Sequence, residues 1–222
     1  MNEIPVPWHP GEKELFAFSA EDQKFYDDAG AGLPLHSGTD TDGSLIPCSC
    51  GPHSIAFFRQ VCDIIKSSEP KRVLEIGFNI GYSASILMDL LPGWHLTSCD
   101  ISDKPSTLIA AKHLNNKHGD RFKFIHSSSD KLTDIIAPYP DNEFGMAFID
   151  GDHHTEPVIS DIKVAQSYNV KYIFFDDFLP IYGPGTYHAI LNCELKYVAH
   201  RYNMILAENP LHEDRLFITP QP

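Results

Sequence analysis

Apolar positions change their period several times along this chain. Ile55, Phe58, Cys62 and Ile65 recur at i, i+3, i+7 and i+10 behind Gly51-Pro52. That spacing puts one stripe on one face of an α-helix, which must end before Pro70. From Arg72 onward, short apolar runs alternate with helical patterns. RVLEIG precedes a helix predicted over 81–91, WHLTSCD one starting at Pro105, RFKFIH follows, FGMAFID precedes a helix over 156–168, and YIFFDD closes the series. Strands that alternate with helices imply right-handed crossovers and a parallel sheet covered on both faces, hence an α/β fold with three layers, α/β/α. The tail breaks the alternation. Segments around 196–207 and 214–219 are strand-like, and the ENPLHED between them is too short for a crossover helix, which predicts an antiparallel hairpin at one edge.

Residues 1–50 follow neither period. They are rich in Pro, Gly and Asp, carry Trp8, Phe16, Phe18, Phe25 and Tyr26, and admit at most one short helix near 20–29. They read as an N-terminal lid or oligomerisation arm, leaving 51–222 as one domain. With 222 residues, 42% of them hydrophobic and 21% charged, the chain suits a single sizeable core. Its net charge of −13 repels a polyphosphate backbone, and no basic residues cluster to offset it, so nucleic acid is not an expected partner. A basic stretch followed by an apolar one is absent near Met1, and no segment approaches the about 18 apolar residues that span a bilayer, so no membrane association and a cytoplasmic location are expected. Five cysteines, an odd number without framework spacing, suit reduced thiols. Cys48, Cys50 and His53 lack a fourth metal ligand nearby, and such short coincidences are common.

A parallel sheet binds ligands at the carboxyl ends of its strands. Those ends carry Glu75 with Gly77 and Gly81, then Asp100, then His126 to Asp130, then Asp150 with His153, then Asp176 and Asp177. Gly77 and Gly81 suit a tight turn that lets a ligand approach the backbone. Asp100 lies 23 residues beyond Gly77, close to the about 20 at which an acidic residue receives ribose hydroxyls. The turn reads E-x-G-x-x-x-G, with Asn79 where a pyrophosphate-binding turn has its second glycine, so a nucleoside cofactor without phosphates is favoured. Glu75 has a second reading, ordering the turn alone. Asp150, Asp176 and Asp177 end adjacent strands, and carboxylates converging on one point are what Mg²⁺ takes; the other reading of Asp176 and Asp177 is helix capping and solvation. His153, three residues beyond Asp150, suits a general base or a cap for the helix near Thr155.

VLEIGFNIGYSASIL followed by HLTSCDIS resembles the first two motifs of class I S-adenosylmethionine-dependent methyltransferases, with the element order agreeing over about 52–219. The resemblance implies a Rossmann-like fold with a seven-stranded, mostly parallel sheet ending in an antiparallel C-terminal hairpin. It implies that Glu75, Gly77, Asn79, Gly81 and Ser83 form the S-adenosylmethionine turn, that Asp100 takes the ribose, and that Ser128 contacts the adenine. IDGDHH with FFDDF is similar to metal-dependent O-methyltransferases of the catechol and macrolide-sugar types and to the cephalosporin-hydroxylase group. This second resemblance implies that Asp150, Asp176 and Asp177 hold Mg²⁺, with Asp150 between metal and cofactor, and that His153 is the base for methylation of a small-molecule hydroxyl.

The acceptor is expected to lie between residues 1–50 and GPGTYHAI, with Trp8, Phe16, Tyr182 and Tyr187 as contacts. The aromatics of 1–50 make a homo-oligomer a further expectation. Three alternatives stand beside this reading. One is a metal-independent methyltransferase acting on nitrogen, one a non-catalytic cofactor-binding module, and one an NAD-dependent oxidoreductase, which the missing G-x-G-x-x-G disfavours.

Overall fold

In a computed structural model of the chain, residues 36–39, 45–47, 52–178, 184–201 and 204–212 are described, with side chains for 56–178, 184–200 and 204–212. The expected helix near 20–29, the aromatics of the lid or arm, Cys48, Cys50, Tyr182 and the segment 214–219 lie outside the described residues.

A short antiparallel pair, β1 (His36–Thr39) and β2 (Leu45–Pro47), precedes the domain and was not anticipated from the sequence. Then follow α1 (Pro52–Ile65), β3 (Arg72–Ile76), α2 (Tyr82–Leu90), β4 (His95–Asp100), α3 (Pro105–His118), β5 (Phe122–His126), α4 (Leu132–Ile135), β6 (Met146–Ile149), α5 (Thr155–Ser167), β7 (Tyr172–Phe175), α6 (Pro184–Asn192), β8 (Lys196–Arg201) and β9 (Met204–Glu208). The seven strands β3 to β9 form one sheet in the order β5-β4-β3-β6-β7-β9-β8. β3 to β7 pair in parallel, and β9 runs antiparallel to both β7 and β8.

Side-chain alternation along the strands divides the core into two layers. Val73, Leu96, Met146, Phe148 and Phe174 face α1, α2 and α3, while Leu74, Cys99, Ala147, Ile149 and Phe175 face α4, α5 and α6. Phe58 of α1 meets Phe148 and Phe174 edge-on at ring distances of 5.2 and 4.9 Å. That geometry aligns ring edges with ring faces and adds about 1 kcal/mol per pair beyond the area buried. With helices on both faces, the ends of the strands are left as the open rim.

Two sequence expectations are corrected. Arg201 pairs with Met204, so the hairpin closes inside the run 196–207 and not at ENPLHED. GPGTYHAI, expected only as a pocket wall, carries a helix: Pro184 opens α6 with its fixed φ, and Gly185, Thr186, Ala189 and Ile190 bury one stripe.

Candidate active site

The sheet order reverses between β3 and β6, so a crevice opens where their carboxyl ends part. Gly77 has φ +95°, and a Cβ there would stand 2.0 Å from the Asp150 carbonyl oxygen and 2.7 Å from the Gly151 nitrogen. The first glycine is therefore required by the close approach of the two loops as well as by its dihedral. Gly81, at φ +78°, precedes α2, and a Cβ on it would stand 2.6 Å from the Phe78 ring. Among the described residues, four non-glycine residues adopt positive φ: Asn169 and Glu194 follow α5 and α6, while Asn79 and Asp177 lie at this rim. Asn and Asp are the side chains that tolerate this region best.

Asp100 does more within the chain than its spacing suggested. Its Oδ2 accepts the main-chain N–H of Phe78 at 2.8 Å and of Asn79 at 2.6 Å, and its Oδ1 accepts that of Ser102 at 2.7 Å. A carboxylate offers about four acceptor positions, so one remains for a ligand hydroxyl. Asp100 thus clamps the glycine turn to β4.

Glu75 lies beneath the turn, 0% exposed. Ser83 of α2 donates its hydroxyl to Oε1 at 2.5 Å, and the Ser98 hydroxyl of β4 donates to Oε2. Burial pushes the pKa up to about 7, the two hydroxyls pull it down, and the charge of Asp100 raises it. Glu75 and Ser83 thus tie the turn to the sheet.

Ser128 is half-buried and extended (φ −73°, ψ 149°), at the start of a 3₁₀ turn over Ser129–Lys131. Ser127 beside it is held to β4, with its N–H on the Asp100 carbonyl at 3.0 Å and its carbonyl accepting the Cys99 thiol at 2.9 Å. Ser129 donates its hydroxyl to Asp161 of α5. Sequence reading missed Asp161, yet it left a signal: a carboxylate on the stripe that also carries Val158, Ile162 and Ala165.

At the ends of β6 and β7 stand Asp150, His153, Asp176 and Asp177. His153 Nε2 lies 3.4 Å from Asp177 Oδ2 and 4.0 Å from Asp150 Oδ1, and all three side chains are partly exposed. Asp176 differs. It is 6% exposed, and its Oδ1 accepts the main-chain N–H of Asp177 at 2.8 Å. The N-cap of α5 is His154, whose N–H donates to Asp152 Oδ1 at 2.9 Å and whose Nδ1 lies 2.5 Å from the same oxygen. These hydrogen bonds lower the Asp152 pKa. His153 is therefore not the cap; it faces the carboxylates.

The expected Mg²⁺ site of Asp150, Asp176 and Asp177 is not assembled. Among the described residues no group of three or more His, Cys, Asp or Glu side chains is placed to hold a metal ion. The oxygens are of the hard type Mg²⁺ prefers. However, an imidazole stands between Asp150 and Asp177, and Asp176 is turned to the backbone.

Comparison with known proteins agrees with this geometry. Residues 74–178 match the family described as a methyltransferase domain. No curated protein matches the sequence. Similar solved structures include an O-methyltransferase from Bacillus cereus in complex with SAH (17% identity, 89% of this chain and 94% of that one covered, TM-score 0.62). They also include SAH-bound PaMTH1, a methyltransferase from Podospora anserina (14%, 92% and 97%, TM-score 0.62). A third is the O-methyltransferase TomG from Streptomyces achromogenes in complex with SAM (14%, 87% and 91%, TM-score 0.58). At these identities the likeness lies in the fold. The strand order, the crevice at the β3–β6 reversal and the family match over residues 74–178 agree on one fold, the Rossmann-like one of the methyltransferases to which this chain is similar.

Proposed function

We propose that the chain methylates an oxygen of a small-molecule hydroxyl, with S-adenosylmethionine as donor and His153 as general base. The observation that carries the choice of base is the placement of His153 Nε2 between Asp177 and Asp150 at the rim beside the glycine turn. Oxygen as the acceptor atom is supported by two of the similar structures, both O-methyltransferases.

In the reaction the acceptor oxygen attacks the methyl carbon in line with the carbon–sulfur bond. The C–O bond forms as the C–S bond breaks, the sulfonium becomes a neutral thioether, and the hydroxyl proton passes to His153. An imidazole carrying its proton on Nε2, toward Asp177, keeps Nδ1 as the acceptor, and the carboxylate then stabilises the imidazolium. Gly77 to Gly81 admit the donor close to the backbone, Asp100 has one acceptor position left for a ribose hydroxyl, and Ser128 faces the adenine. Because the carboxylates do not gather around one point, no step here runs through Mg²⁺.

The test supplies labelled S-adenosylmethionine and a panel of phenols and sugar alcohols. Label should reach a hydroxyl, and His153→Ala should cut turnover by about 10²–10⁴ with partial rescue at high pH, where the acceptor ionises unaided. Label transferred only to nitrogen acceptors, or unchanged turnover in His153→Ala, would overturn the proposal.

A further inference from the structure

Asp161 is 4% exposed on the apolar stripe of α5. Burying a carboxylate costs several kcal/mol unless hydrogen bonds compensate, so a stripe built only to pack would carry an apolar residue there. Burial, with the charges of Asp152 and Asp130 nearby, pushes its pKa up to about 6, against the lowering effect of the Ser129 bond. At neutral pH it is thus ionised and accepts from Ser129.

Its two oxygens face different parts of the rim. Oδ1 takes the Ser129 hydroxyl, 32 residues away in the chain. Oδ2 lies 3.5 Å from where a Cβ on Gly151 would stand, and Gly151 is the residue whose nitrogen abuts Gly77. The loop after β5 is consequently held on both sides of Ser128: Ser127 is bonded to Cys99 and Asp100 of β4, and Ser129 to Asp161 of α5. Ser128 thus stands between two tethered neighbours.

We propose that Asp161 is a positioning residue for the adenine of the cofactor: through Ser129 it sets the distance between the Ser127–Lys131 loop and Gly151, and so where Ser128 meets the base. The proposal rests on the cofactor reading above. It explains why a buried carboxylate stands opposite a serine at this point of the fold and assigns both residues to base recognition.

Calorimetry with S-adenosylhomocysteine and S-inosylhomocysteine tests it on the full chain. Ser129→Ala and Asp161→Ala should each weaken S-adenosylhomocysteine by about five- to tenfold, a part of the worth of one hydrogen bond to a charged group, since the tie reaches the base only through Ser128. The double variant should lose no more than Asp161→Ala alone, because both remove the same tie. Asp161→Asn, which keeps an acceptor, should recover most of the affinity. The preference for the adenosyl over the inosyl ligand should shrink in the alanine variants, with the loss seen in cofactor affinity and not in the acceptor KM. Additive losses, an unchanged adenosyl-to-inosyl ratio, or wild-type affinity in Ser129→Ala would overturn it, and Ser129→Ala alone decides if Asp161→Ala does not fold. A wild-type chain that binds neither ligand would instead overturn the cofactor reading itself.

Discussion

Replacing Glu75 by Gln should flatten part of the pH dependence of stability. In the folded chain Glu75 is fully buried and its pKa rises from 4.5 to about 7, chiefly through burial. A raised folded pKa means that the folded state holds the proton more tightly than the unfolded one. The stabilisation is therefore complete below pH 4.5 and is lost as pH climbs through 7. At 1.36 kcal/mol per pKa unit, the loss amounts to roughly 3 kcal/mol. Gln has the shape of the protonated acid: its carbonyl accepts from one of Ser83 and Ser98, its amide donates to the other, and it does not ionise. Urea unfolding of both proteins from pH 4.5 to 8.5 gives ΔG at each pH. Asp161, also raised to about 6, tilts both curves alike and cancels in their difference. The stability of Glu75→Gln relative to wild type should grow by roughly 3 kcal/mol across that range. A difference that stays level with pH would show that Glu75 ionises in the folded chain as freely as in the unfolded one and would refute the reasoning.

The remaining expectations concern the rim. A Cβ on Gly185, in the first turn of α6, would stand 2.1 Å from the His153 carbonyl oxygen and 2.6 Å from the Thr155 nitrogen. Gly185→Ala should therefore displace His153 and cut turnover by about 10²-fold. Calorimetry should find S-adenosylhomocysteine affinity nearly intact, and an equal loss in both would place the effect on folding. Gly77→Ala, with φ +95° and the Asp150 carbonyl in the way, should instead abolish measurable cofactor binding, checked by the same titration. Exhaustive chelation should leave turnover standing, since among the described residues the carboxylates of Asp150, Asp176 and Asp177 are not gathered as a metal site; a loss restored by Mg²⁺ would return them to metal binding.

Several features of the fold and rim were legible in the residues alone because they depend on neighbours in the chain. The alternation of apolar runs with helical stripes from Arg72 to Asp177 specifies a covered parallel sheet. Gly77 and Gly81 announce the turn between β3 and α2, since no other residue accepts those positive φ values so readily. The ends of the strands then name the rim carboxylates. The hairpin was misplaced for a physical reason: the run 196–207 is apolar or aromatic at most positions, and little besides Asn203 punctuates it. Helix α6 escaped notice because Gly183, Pro184 and Gly185 at its start read as turn punctuation.

What tertiary structure alone decided is which atom meets which. Asp100 turns its carboxylate to the Phe78 and Asn79 amides because β3 and β4 run in register, Ile76 beside Cys99, which brings the turn over its oxygens. Asp176 and Asp177 are the same residue type, yet one is buried against the backbone and the other faces His153, because the chain reverses its twist at Asp177, φ 50°. Ser129 finds Asp161 only once α5 has crossed back over the sheet. Periodicity is a property of a few consecutive residues, so it names the strands and their ends. A hydrogen bond is satisfied or lost within tenths of an ångström, and only the assembled sheet sets distances on that scale.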